Sequence, residues 1–507
     1  MGKDYIMTCD AGTTGCKCSV FDKTGRTVCA VKQGYATDYP RPGWAEQDPA
    51  TILRAVQEAI RELLSQVKPR DVACIGLSGT MNGCIAVDAG GRALYPNILH
   101  SDSRASREVA FIESRIDQQA FYRLTGNRID EHFTLPKILW LREHHEEVYR
   151  RARWWLNIKD YIYAHLTGQV GVTDYSDATL TIALDIGKKH WAEELLRDLS
   201  LDPGKMPVIR KGSDISACIT KDIAEKTGLL EGTPVALGGG DGACAGRGAG
   251  LCEPGAGYCS IGSSAWVSQL TEAPLLDPEM RIFNYLDMDG EVNHTLGVIQ
   301  TGAAAYDWAA GHLLGSGGEA TSADRSRIEN MARQIEPGAE GVLFLPTLMG
   351  ERTPYWDPNT RGCLMGFSLY HDQRHVARAV YEGVALALNT VVEIMRECGQ
   401  SVNSMMLIGG GARSGLWPGI MADVFGLPTR VHMAPGEAAS LGAAIAAGVG
   451  AGLFESYEQA ARIVRARSHH PVSEAAHERY QAVFEVYKRM YGRLSPLFDA
   501  IAHEGRV

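Results

Sequence analysis

Twice in this chain a short apolar strand breaks on a turn of glycine and hydroxyl residues and comes out again as a strand. Tyr5 to Cys9 is apolar enough to be buried, Asp10-Ala11-Gly12-Thr13-Thr14-Gly15 interrupts it, and Cys18 to Phe21 resumes extended character. The plan recurs at Gly257 to Ile261, Gly262-Ser263-Ser264 and Ala265-Trp266-Val267. A third glycine turn, Gly409-Gly410-Gly411-Ala412-Arg413-Ser414, follows the strand Met405 to Ile408 and leads into a helix through Ile420. Glycine lets backbone N–H groups close on an anion, and Thr or Ser adds hydroxyl donors. The helix after the third turn adds a positive dipole end. One such turn reads as an ordinary turn; three, spread over the chain, point to phosphate binding. No GxxxxGK[ST] is present, no strand–GxGxxG–helix unit opens the chain, and no HRDxxxxN loop occurs. A nucleotide here needs another architecture.

Glycine accounts for 56 of 507 residues, above the usual share of about 7%. At roughly 150 residues per domain the length allows two to four domains. The recurring strand–turn–strand unit reduces this to two halves, taken as residues 1–247 and 248–507. Alternating strands and helices make the chain an α/β protein. The formal net charge of -10 argues against nucleic acid and anionic membrane as partners. The uncharged run from Ala438 to Phe454 is Ala- and Gly-rich and reads as a packed interior helix, not a membrane span. Twelve scattered cysteines without a CxxC pair, and an opening Met1-Gly2-Lys3 stretch without a signal sequence, predict reduced thiols in the cytoplasm.

Asp48 and Pro49 predict a helix start, with Ile52, Val56, Ile60 and Leu63 on one face. Val72 to Leu77 predicts a strand, and the stretch from about Ala110 to Leu199 reads as largely helical. A long helix follows Asp372; Arg378 and Glu382 read as a surface pair on it, and His371 and His375 as two solvated histidines at its start.

Asp241 stands out because it follows a strand, Val235 to Leu237, and three glycines. There a carboxylate either projects into a cleft or caps a turn. Asp10 sits similarly at a strand end beside the first glycine turn, where a divalent cation would bridge carboxylate and phosphate. Met81 and Asn82, then Asp102 and Arg104, form a further polar cluster. By residue type alone Asp102 reads as a helix opener and Arg104 as solvated. His132 reads as structural, ahead of an amphipathic helix at Lys137 to Leu141. No protein-only metal site is expected.

Several stretches, in order along the chain, resemble the FGGY carbohydrate kinases. They are Asp10 to Lys17, Trp44-Ala45-Glu46-Gln47-Asp48-Pro49, Thr134 to Leu141, Gly239-Gly240-Asp241, Gly366 to Gly383, and Gly409 to Ser414. The resemblance implies two ribonuclease-H-like domains of the actin-like ATPase kind with a central cleft. ATP would lie on the second domain and the sugar mostly on the first, with Mg2+ as cofactor. Position by position, Asp241 would be the general base and Asp10 the Mg2+ acid. Gly12, Thr13, Thr14 and Lys17 would form the first phosphate loop, and Gly262, Ser263 and Ser264 the second. Gly302, Gly410, Gly411, Ala412 and Ser414 would meet the nucleotide. Met81, Asn82, Asp102, Arg104 and His132, with Asp241, would touch sugar. The family also suggests a homodimer. The overall pattern is most similar to the xylulokinase branch, which implies phosphorylation of D-xylulose to D-xylulose 5-phosphate. Asn82, His100 and Gly242 depart from that branch, and they lie at the sugar end. Gluconate, ribulose, a polyol or a modified sugar are the alternatives. An actin-like ATPase or a sugar sensor would have no use for a base in the position of Asp241.

Overall fold

A computed structural model describes residues 4–315 and 317–504; the opening Met1-Gly2-Lys3 lies outside the described residues. Two seven-stranded sheets dominate it, and five strands of each follow one order. In the first the order is Thr27–Gly34, Gly15–Asp22, Tyr5–Ala11, Val72–Gly79 and Pro234–Val235. In the second it is Asn293–Ile299, Ala265–Thr271, Ala256–Ile261, Ser404–Ile408 and Thr429–His432. In each, the first three strands of this order pair antiparallel, and the last two join in parallel. The repeat suspected from the glycine turns is therefore a repeat of topology, the ribonuclease-H-like plan used twice.

The first strand shows how the sequence builds both faces. Alternate residues of a strand point to opposite sides. Met7, Cys9 and Ala11 pack with Ile52, Val56 and Ile60 of the helix Pro49–Leu63. Ile6 joins a different core, with Leu441 and Ala443 to Ala447. With both faces covered, the strand is nearly continuously apolar, as a buried parallel sheet requires. The predicted cap is in place: the Asp48 side chain accepts from the Ala50 and Thr51 N–H groups.

The Ala/Gly run is the interior helix Ala438–Gly450. It packs face to face with the helix Asp241–Gly248. Ala438 and Ala245 also pack with Tyr258, Met406 and Ile408 of the second sheet. This helix pair is the spine between the sheets, and glycine sets its closeness. A Cβ on Gly248 would lie 1.8 Å from the Ala438 carbonyl oxygen, and one on Gly442 1.8 Å from that of Cys244. Late residues of the chain thus complete the core of the early sheet.

Several local expectations are corrected. Arg378 and Glu382 are buried, not a surface pair: Arg378 Nε meets Glu382 Oε1 at 2.6 Å, and the Tyr480 hydroxyl donates to the same oxygen at 2.7 Å. The cause is the long C-terminal helix Glu474–Glu504, which lays Tyr480 over that face. Neither histidine is free in solvent: His371 is half-buried, with its ring bonded to the Ser368 N–H and the Glu340 carbonyl, and His375 is buried and takes part in the cap at Asp372. The helix Thr134–His144 is not amphipathic over its first two turns; Thr134 to Leu141 are all buried, Lys137 included. No helix among the described residues is long and apolar enough to cross a membrane.

Candidate functional site

Three parallel segments end together, and their ends carry the carboxylates. Asp10 stands in register with Ser78, and Ser78 with Gly239. The Ser78 hydroxyl donates to Asp10 Oδ1 at 2.9 Å. One residue past Gly240 the chain turns into the helix Asp241–Gly248, so Asp241 stands at a helix start beside Asp10. Burial pushes the Asp241 carboxyl up to about 7, and the negative charge of Asp10 adds to this against the N–H groups of Gly242 and Asp241. Neither Asp10 nor Asp241 forms an ion pair among the described residues. Two mutually repelling carboxylates without a resident cation suit a hard divalent ion held by Asp10, water and phosphate.

The backbone under Asp241 is anchored from below. Gly240 N–H donates to the Ser176 hydroxyl at 3.0 Å, and Ser176 donates in turn to Asp174. Asp174 belongs to a fully buried set in which Lys159 Nζ lies 2.5 Å from Asp160, 3.1 Å from Asp174 and 3.5 Å from Asp177. Burial works against the Lys159 ammonium, but the three carboxylates outweigh it and hold it firmly charged.

On the acceptor side, Met81 packs on Gly240: a Cβ there would lie 2.4 Å from Met81 Cγ. The next residue, Asn82, has φ 63°, a left-handed conformation uncommon outside glycine. Its side chain faces a small cavity with Asp130, His132, Arg352 and Trp356. Lys137 Nζ fixes two walls at once, donating to the Asn82 and His132 carbonyls at 2.7 Å each. Burial pulls its ammonium down to about 7.

Asp102 and Arg104 do not face this cavity. Neither side chain has exposed surface, and the guanidinium forks onto Asp102 at 2.7 and 2.8 Å and onto Glu46 at 2.6 Å. Arg104 is also stacked on Trp44, 3.8 Å from the ring centroid. Asp102 holds the Ala45 N–H at 2.6 Å. Arg104 is buried and braced, which corrects the reading of it as solvated.

A second cavity, of about 840 Å3, is lined by Gly262, Ser263, Gly410, Gly411 and Ser414, with Tyr306, Glu329 and Trp417. Gly302 joins the second loop through backbone bonds: its N–H donates to the Ser263 carbonyl at 2.8 Å, and Ala303 N–H donates to that of Gly262 at 2.8 Å. The Ser414 hydroxyl is already committed, donating to Glu329 at 2.9 Å and accepting from the Leu416 and Trp417 N–H groups. Ala412 is fully buried and does not reach the cavity surface. In the first loop Gly12 N–H closes on the Gly15 carbonyl at 3.1 Å, and Thr13 and Thr14 stay partly open to solvent. Lys17 reaches the other half, donating to the Gly436 carbonyl at 2.5 Å and pairing with Glu437 at 3.4 Å.

Residues 5–248 match the N-terminal domain of the FGGY family of carbohydrate kinases, and residues 257–451 match its C-terminal domain. The chain belongs to the FGGY family of carbohydrate kinases. It is 32% identical to a xylulose kinase of Bacillus subtilis, covering 98% of both chains. It is 33% identical to a xylulose kinase of Escherichia coli over 96% of this chain and 99% of that one. A crystal structure of a gluconate kinase from Lactobacillus acidophilus superimposes with a TM-score of 0.92 at 27% identity, covering 98% of this chain and 99% of that one.

Several residues of this sugar kinase carried no sequence signal that singled them out. Lys137 and Arg352 lie at the cavity beside Asn82, Ser78 bonds Asp10 and Ser176 the Gly240 N–H, and Tyr306 and Trp417 line the larger cavity. The Gly242 departure has a local partner: a Cβ there would lie 3.2 Å from the Tyr285 hydroxyl and 3.6 Å from Met81 Sδ.

A base in the position of Asp241, with its carboxyl near 7, would make the rate pH-dependent in a definite direction. Asp241 accepts a proton only when ionised, so kcat/KM for the acceptor is expected to rise with pH and level off above about 7. A profile measured in the free enzyme with that limb missing, or falling toward high pH over the same range, would exclude Asp241 as the ionising group.

Proposed function

We propose that this kinase transfers the terminal phosphoryl group of ATP to the end hydroxyl of an open-chain sugar, with D-xylulose, giving D-xylulose 5-phosphate, as the first substrate to test. The observation that carries this reading is the place of Asp241. It lies beside Asp10 at the strand ends, between Gly240 and Gly242, which Met81 approaches, with its carboxyl raised to about 7. Asp241 takes the proton from the attacking hydroxyl, a role worth roughly 10²–10⁴ in rate. Phosphoryl transfer otherwise asks for positioning and charge stabilisation. The backbone of Gly12 to Thr14 and of Gly262 to Ser264 offers N–H donors and hydroxyls to the phosphates, and Gly410 and Gly411 leave room for the nucleoside. Asp10 fits Mg2+, with the oxygen that Ser78 leaves open as its protein ligand. Bound there, the ion would neutralise phosphate charge.

A second reading, an aldonate such as gluconate as acceptor, is favoured by Asn82, His100 and Gly242. These three departures from the xylulokinase pattern sit at the acceptor end, where a different substrate would be read. ADP release over a panel of ketopentoses, polyols and aldonates decides between them. Stimulation by D-xylulose above all others is the expected result. Stimulation by gluconate alone moves the assignment to the second reading, and a flat panel overturns the kinase reading.

A further inference from the structure

One cation in the acceptor cavity has nothing to hold. Arg352 comes from the second half, while Asn82, Asp130 and His132, which line the same cavity, come from the first. Its backbone is pinned: the Arg352 N–H donates to Glu351 Oε1 at 2.9 Å, and its carbonyl accepts from Trp356 N–H at 2.6 Å. Its guanidinium makes no hydrogen bond and no ion pair among the described residues. Asp130 is the carboxylate in the cavity that could take it, but Asp130 Oδ1 is already bound to the His132 ring at 2.6 Å and to the His132 N–H at 2.9 Å. Burial pushes the guanidinium pKa down, and Asp130, Glu351 and Glu131 offset this only through longer-range attraction.

A guanidinium carries five N–H donors in a planar fork suited to paired oxygens. Arg352 is partly buried and its guanidinium is left unpaired, so its place in the cavity beside Asn82 and Asp130 points to an acceptor delivered by a ligand. The cavity holds two further signs of a built site. Asn82 Oδ1 is buried without a hydrogen-bond partner. Asn82 and Trp356, which both line it, hold left-handed backbone conformations, with φ 63° and 52°. Such conformations in non-glycine residues persist where the surroundings over-determine them, and they gather at ligand sites.

We propose that Arg352 binds the oxygen-bearing end of the acceptor, the end remote from the transferred hydroxyl, and so ties the acceptor to the second half of the molecule. The inference rests on the kinase reading. The group it reads presents two neighbouring oxygens, either the carbonyl and adjacent hydroxyl of a ketose or the carboxylate of an aldonate. Because the fork and the Asn82 wall belong to different halves, the acceptor itself bridges them.

The test uses the full-length enzyme, the best acceptor from the panel, and the variants Arg352→Gln and Arg352→Lys. Arg352→Gln is expected to raise the acceptor KM by about 10- to 100-fold, the usual worth of a charge-assisted hydrogen bond, with the KM for ATP unchanged. Arg352→Lys keeps the charge but not the fork, and is expected to fall between Gln and wild type. Salt separates the two sources: a carboxylate acceptor gives a KM that rises with ionic strength and a ketose does not. Should Arg352→Gln fail to fold, Arg352→Lys carries the same comparison. An unchanged acceptor KM in a folded variant overturns the assignment while leaving the kinase standing. Failure of the wild-type enzyme to phosphorylate any acceptor removes the kinase reading and this inference with it.

Discussion

Asp241→Asn is expected to lower kcat by at least about 10² while the acceptor still binds. Asparagine keeps the size of the side chain and the contact with its helix start, but it cannot take a proton. The loss therefore belongs in kcat, with the acceptor KM little changed. Removing the buried charge also removes the repulsion with Asp10, which is the second cause of the raised Asp241 carboxyl. The fold is expected to tolerate the change or to gain from it. Rapid-quench turnover with saturating ATP and acceptor, beside an acceptor titration followed by tryptophan fluorescence, reads both quantities. Turnover near the wild-type rate would remove Asp241 from the role of base and leave the site without one.

The second large effect lies below the site. Lys159→Met is expected to destabilise the protein by about 3–5 kcal/mol, because three buried carboxylates lose their only partner ammonium. Against a typical total of about 5–15 kcal/mol this is severe. The pH dependence has a definite sign. Burial already raises the Asp174 and Asp177 carboxyls, and without Lys159 they rise further. A carboxyl whose folded pKa is raised stabilises below its unfolded value, and that stability is lost as pH rises through the folded value. The variant is therefore expected to be least impaired in mild acid and to fail toward neutral pH. Urea denaturation between mild acid and neutral pH reads this. Adding Asp174→Asn and Asp177→Asn to Lys159→Met is expected to recover part of the loss. A midpoint equal to wild type at neutral pH would mean that the cluster does not need its ammonium. Because Asp174 holds Ser176, and Ser176 holds the Gly240 N–H, the single variant is also expected to lose turnover in whatever fraction stays folded.

Some features of this protein are local and therefore legible in the sequence. A short apolar strand, a turn of glycine and hydroxyl residues, an Asp–Pro helix start and an uncharged Ala/Gly run each carry their cause within a few residues. The paired strand–turn–strand units, the helix at Pro49–Leu63, the interior helix and the carboxylates at the strand ends follow from such signals. Spacing along one helix says less. Arg378 and Glu382, four residues apart, look like a solvated pair until Tyr480, a hundred residues later, closes over them. Asp102 and Arg104 look available to a ligand until Glu46 and Trp44 are folded against the guanidinium.

The abundance of glycine shows where local signals stop. In the sequence it points to phosphate loops, and Gly262, Gly410 and Gly411 line one cavity of about 840 Å3. Gly248 and Gly442 serve another purpose, the close approach of two helices between the sheets, and Gly240 makes room for Met81. The sequence alone settled that this is an α/β chain, with Asp10 and Asp241 at strand ends, and hinted that it is built twice on one plan, because strand character, turn chemistry and caps act over short range. Tertiary structure alone decided which charges are buried, that Lys137 and Arg352 from distant segments meet beside Asn82, and that the two halves share a core. Those outcomes depend on which distant segments meet, and no residue carries its future neighbours in its own spacing.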